Sequence, residues 1–111
     1  MHTLEPKVTA KVDELVVAIR ESETYQKFVE MQKKLDAEPE LRDQVDEFRM
    51  KNFEMQQNFQ GDELLQRIEE FTDSYAWLRE NPLVDQYLSA ELAFCRLIQD
   101  VGDELTDQLR F

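Results

Sequence analysis

The stretch "NPLVDQYLSAELAFCRLIQD", residues 81–100, decides how this chain folds. It opens with Asn81, whose side-chain oxygen can accept from the free N–H groups of a first helical turn, and Pro82, whose fixed φ and missing N–H suit the first helical position. Beyond them Leu83, Tyr87, Ala90, Phe94, Leu97 and Val101 recur at steps of 4, 3, 4, 3 and 4 residues, a short coiled-coil-like seam. Val84, Leu88, Ile98 and Leu105 widen the apolar arc to about half the circumference, more than the ~100° of a surface helix. The spacing predicts a central helix from Pro82 to about Leu109, facing its own bundle and a second copy of the chain.

Upstream, Val8, Val12, Leu15, Val16 and Ile19 share one side of a first helix over about residues 5–21. Ser22 or Thr24 caps a second, whose stripe of Tyr25, Phe28, Val29, Gln32 and Leu35 runs to about Ala37. Pro39 starts a third, ~30 Å long, with Leu41, Val45, Phe48, Asn52, Met55, Gln56 and Phe59 on one face. Gly61 can end it in the left-handed region, and Asp62 can cap a fourth helix that buries Leu64, Ile68, Phe71, Tyr75 and Leu78. The expected fold is all-α: a single domain over residues 1–111, a bundle of about five helices with the third and fifth longest, self-associating as a homodimer or higher oligomer.

Composition agrees with helices, since two glycines and three prolines accompany many residues that lose little on entering one. Acidic residues outnumber basic ones by 25 to 13, giving a net charge of −12. Such a chain repels phosphate backbones, so direct nucleic-acid binding is not expected. The longest apolar run, Leu15–Ile19, is far short of the ~20 residues that span a bilayer, and "MHTLEPKVTAKVDE" lacks the form of a signal peptide. No membrane insertion and a cytoplasmic location are the expectations. The single cysteine fits a reducing compartment.

Catalytic signatures are missing: there is no serine–histidine–acid set, no glycine-rich phosphate loop and no HExxH pair, so no enzyme is expected. One cysteine, Cys95, and one histidine, His2, do not make a self-contained metal site, and no cofactor is expected. Cys95 reads as a half-buried thiol that packs as a small apolar residue. Glu91 falls within the apolar arc of the last helix, and Asn52 and Gln56 within that of the third. A buried charge needs partners, so a buried polar network joining Glu91 to Asn52, Gln56 or Arg49 is expected, in preference to a functional acid. Met31, Met50, Phe53 and Trp77 project off the main stripes. Large apolar side chains of this kind are enriched where partners bind, which makes these four the candidate interaction surface, the alternative being packing against a second helix.

Two segments carry a family likeness: "SETYQKFVEMQKKLDAEPELRDQVDEFRMKNFEMQQ" at 22–57 and "ENPLVDQYLSAELAFCRLIQDV" at 80–101. An aromatic-bearing second helix, an acidic break before "PEL", "FR" with a following Gln, and then "NPLVDQYLSAE" occur in an order that resembles the YlbF/YmcA family of small helical bacterial proteins, over about residues 8–107. The resemblance implies a self-associating, cytoplasmic, regulatory protein. Family members in bacilli act in competence, sporulation and biofilm formation through a complex that influences the membrane-anchored endoribonuclease Y. It thus implies an adaptor that modulates RNA turnover without touching RNA, with other family members and an endoribonuclease as partners; the family also holds paralogues of unassigned role. Some relatives share iron–sulfur clusters through cysteines outside the helical core. This chain, ending at Phe111, offers only Cys95 for a cluster shared between subunits. A chaperone-like holder of unfolded chains is the alternative, drawn from the methionine and aromatic residues off the stripes.

Overall fold

The computed structural model describes residues 5–110, and every regular element among them is a helix: α1 (Pro6–Glu21), α2 (Glu23–Asp36), α3 (Pro39–Asn58), α4 (Gly61–Ser74), α5 (Ala76–Arg79) and α6 (Pro82–Leu109). The long third helix and the long last helix match the expectation in place and length.

Local chemistry sets the boundaries. Ser22 ends α1 and starts α2: its hydroxyl donates to the Ile19 carbonyl at 2.6 Å and accepts from the Tyr25 N–H at 3.2 Å. Proline occupies the first turn of α1 and α3. Asn81 Oδ1 accepts from the N–H groups of Leu83 (2.9 Å) and Val84 (3.4 Å), tying down the donors that open α6. Gly61 has φ +61°, in the left-handed region where a side chain would be strained, but it opens α4 and does not end α3, which stops at Asn58 with Phe59 as its cap.

Two further boundary expectations need correction. The cap position before α4 is held by Gln60, with no side-chain cap, and Asp62 lies inside the first turn, where its charge complements the helix dipole instead. The fourth helix does not run on to Leu78 but breaks at Tyr75, whose φ of −108° and ψ of 11° leave the helical region. Ser74 Oγ bonds back to the Glu70 carbonyl at 2.9 Å, a contact that bends helices, and the chain restarts as the single turn of α5. Six helices result.

The chain divides into two compact units, to both of which α2 and α6 contribute. The first takes the described residues up to Glu30 and those from Ala90 onward. There Phe94 of α6 stacks on Phe28 of α2, with centroids 5.3 Å apart, and meets Tyr25 at 5.4 Å. Helix α1 carries its apolar residues on one side, as its periodicity predicts, but none of them is buried.

The second unit, Met31–Ser89, holds most of the core: Met31, Leu35, Val45, Met55, Leu78, Val84 and Tyr87 are all buried. Tyr87 carries the Arg42 guanidinium 5.4 Å and the Arg49 guanidinium 5.6 Å from its ring centroid. Such pairs attract through the ring quadrupole. Arg42 also faces Asp36 and Asp46, 3.6 and 3.5 Å from its Nε.

Candidate functional site

In the second unit, rings from three helices form a continuous ladder. Phe48 of α3 lies 5.3 Å from Phe71 of α4 and 5.2 Å from Tyr75 in the α4–α5 break, Phe71 and Tyr75 are 4.8 Å apart, and Tyr75 stacks on Trp77 of α5 at 6.2 Å. These are the tilted and offset spacings that aromatic pairs favour. Trp77 ends the ladder with 52% of its surface in water.

Phe48, Phe71 and Tyr75, with Asn52, Ile68 and Arg79, line a cleft of about 110 Å³. Its lining is mostly apolar, with Asn52, Thr72 and Arg79 as the polar members. Lys51 stands beside the ladder, its ammonium 2.7 Å from Glu47. Hydrogen bonds to Glu47 first and then to the Tyr75 side chain hold its pKa above the ordinary lysine value. A larger, open groove of about 460 Å³ lies among Glu38, Glu40, Leu41, Gln44 and Asn81 and contains none of the candidate residues.

The four residues expected to form an interaction surface do not form one. Met31 is fully buried in the core of the second unit, so it is withdrawn from that surface. It lies on the flank of the α2 stripe beside Leu35, and that flank is covered as well. Met50 and Phe53 are exposed. They stand two and five residues past Phe48, about 200° and 140° around α3 at ~100° per residue, and so on the far side from the ladder. Trp77 alone belongs to the ladder.

The buried polar network also needs correction, because no polar or charged residue among those described is buried. Gln56 Nε2 does donate to Asn52 Oδ1, at 3.4 Å, but Gln56 is exposed and Asn52 half-buried at the cleft, where water solvates what an apolar core would not. Arg49 lies over Tyr87, and Glu91 is half-buried in α6. Cys95 is exposed, not half-buried as its helical position implied. His2 lies outside the described residues. Among the described residues no group of three or more His, Cys, Asp or Glu side chains could hold a metal ion. Nor is any helix among them long and apolar enough to cross a membrane.

The sequence places Phe48 and Phe71 on the stripes of their helices but does not bring them together with Tyr75, which leaves the fourth helix, nor set Arg42 and Arg49 over Tyr87. The signal for the latter is visible afterwards: Arg42 and Arg49 are seven residues apart on one side of α3. What the ladder and cleft offer is an aromatic surface flanked by two ion pairs, Lys51–Glu47 and Arg79–Asp85, with room for a side chain of another molecule.

The comparisons with known proteins are consistent with one another. The model of the family described as "Control of competence regulator ComK, YlbF/YmcA" matches residues 8–110. A UPF0342 protein of Desulfitobacterium hafniense is 32% identical over 102 residues, covering 86% of this chain and 82% of the relative. A UPF0342 protein of Caldicellulosiruptor bescii is 27% identical over 100 residues, covering 88% and 84%. No solved structure matches the chain.

Proposed function

The chain belongs to the YlbF/YmcA family of control-of-competence regulators, and on that footing we propose that it is a non-catalytic cytoplasmic adaptor that self-associates and acts by binding other proteins. Its targets are other members of the family and an endoribonuclease of the Y type, through which it modulates RNA turnover. The observation that carries this reading is the half-exposed Trp77 at the end of the Phe48–Phe71–Tyr75 ladder, beside an apolar cleft. Tryptophan seated on a rigid aromatic base is a frequent anchor of protein interfaces, because burying it releases much apolar surface at little conformational cost. A net charge of −12 supports binding to the nuclease rather than to its RNA.

Trp77 is the chain's one tryptophan and reports on its own burial. Titration with the soluble part of a Y-type endoribonuclease should shift its emission to the blue, saturably and at fixed stoichiometry. Unchanged emission throughout the titration would exclude Trp77 as the anchor. Exposed Met50 and Phe53 favour a second reading, a holder of unfolded chains. That reading requires suppression of aggregation of an unrelated client, with no fixed stoichiometry.

A further inference from the structure

The apolar stripe of α1 and that of the C-terminal part of α6 are both left in water: Val8, Val12 and Leu15 of the one, and Ile98, Leu105 and Leu109 of the other, are between 37% and 66% exposed. A helix of 16 residues without a buried side chain is marginal by itself, so α1 calls for a cover that the described residues do not supply. Three features of these stripes point to what covers them.

With the helices antiparallel, both stripes cover the same length, 11 residues in three helical steps. Val8, Val12, Leu15 and Ile19 step by 4, 3 and 4, while Leu109, Leu105, Val101 and Ile98 step back by 4, 4 and 3. Their charges match in the same orientation. The start of α1 carries Lys7 and Lys11, and the end of α6 carries Asp100, Asp103, Glu104 and Asp107, all exposed. Lys11 pairs only with Glu14 of its own turn, and Lys7, Asp100, Asp103 and Asp107 make no ion pair among the described residues. Their area is also sufficient. The six side chains leave on the order of 500 Å² uncovered, so two copies supply roughly the 1,000 Å² of apolar surface found in an interface of standard size.

We propose that a second copy of this chain covers these stripes, α1 of each subunit lying antiparallel on the end of α6 of the other, with Lys7 and Lys11 beside the partner's carboxylates. This rests on the reading that the protein self-associates, and it specifies the surface. Reciprocal pairing closes a twofold dimer, because both chains present both halves. Direct pairing of two α6 ends in parallel is disfavoured, since it would bring like carboxylates together.

Two full-length charge-swapped chains test the geometry: Lys7→Glu with Lys11→Glu, and Asp103→Lys with Asp107→Lys. All four positions are exposed, so both chains should keep their helical circular dichroism. By sedimentation equilibrium each alone should dimerise about tenfold or more weakly than the unaltered protein, and an equimolar mixture should recover a heterodimer. A monomeric unaltered protein at micromolar concentration would overturn both the self-association and this surface. An unaltered dimer whose affinity the Lys7/Lys11 swap leaves unchanged would overturn this surface alone.

Discussion

Tyr87 shows how single residues hold the second unit. Its ring is fully enclosed, yet both faces of its chemistry are used: two guanidinium groups lie over it, and its side chain is hydrogen-bonded to Arg42. That bond raises the Arg42 pKa against the opposing effect of burial, and Asp46 and Asp36 raise it further. Burial divides the methionines just as sharply. Met31→Ala should cost about 2–4 kcal/mol, because it leaves a cavity in a packed core, whereas Met50→Ala on an exposed face should change stability by no more than ~0.5 kcal/mol. Urea denaturation midpoints with unchanged slope would measure both. For Lys51 the folded-state pKa is raised, so its contribution is complete below the ordinary value of 10.5 and is lost as pH rises through the raised one. Stability should therefore fall above about pH 10 less steeply in Lys51→Met than in the unaltered protein, as read from denaturation at a series of pH values.

At the scale of elements, the boundaries were legible where a residue acts by local stereochemistry. Pro39, Pro82, Asn81 and Ser22 mark helix ends whatever surrounds them, and all four stand where expected. The break at Tyr75 was not legible, since it involves neither Pro nor Gly but the packing of Tyr75 among rings from other helices, together with the Ser74 hydroxyl. Capping is testable here. Asn81→Ala should destabilise the protein by about 1 kcal/mol by freeing the first donors of α6. Gly61→Ala should cost about as much, ~1 kcal/mol, through backbone strain alone, because a Cβ there meets nothing within 4 Å. Equal losses from both in thermal or urea unfolding would place the α3–α4 turn and the α5–α6 turn on the same footing.

For the whole molecule, periodicity states that a face must be covered but not by what. That limit explains the mixed record of the candidate site. Trp77, off the stripe in the sequence, is half-exposed in the fold. Met31 is misplaced because a second flank of α2 is also covered, and the α1 stripe, amphipathic as its spacing predicts, is left without a buried residue. Amide exchange makes the distinction observable: protection of residues in α1 should rise with protein concentration, while that of the Val45 and Val84 region should not change. Concentration-independent protection of α1 would count against a cover supplied by another chain.

On the proposed function, the aromatic surface around Trp77 is where this protein holds another. Cross-linked co-purification of the tagged protein from its own cells, beside a Trp77→Ala variant and read by mass spectrometry, tests this. The expected result is a stoichiometric partner, an endoribonuclease or another member of the family, that is lost or much reduced with the variant. Recovery of the chain alone, or of the same partner in equal amount with Trp77→Ala, would contradict it.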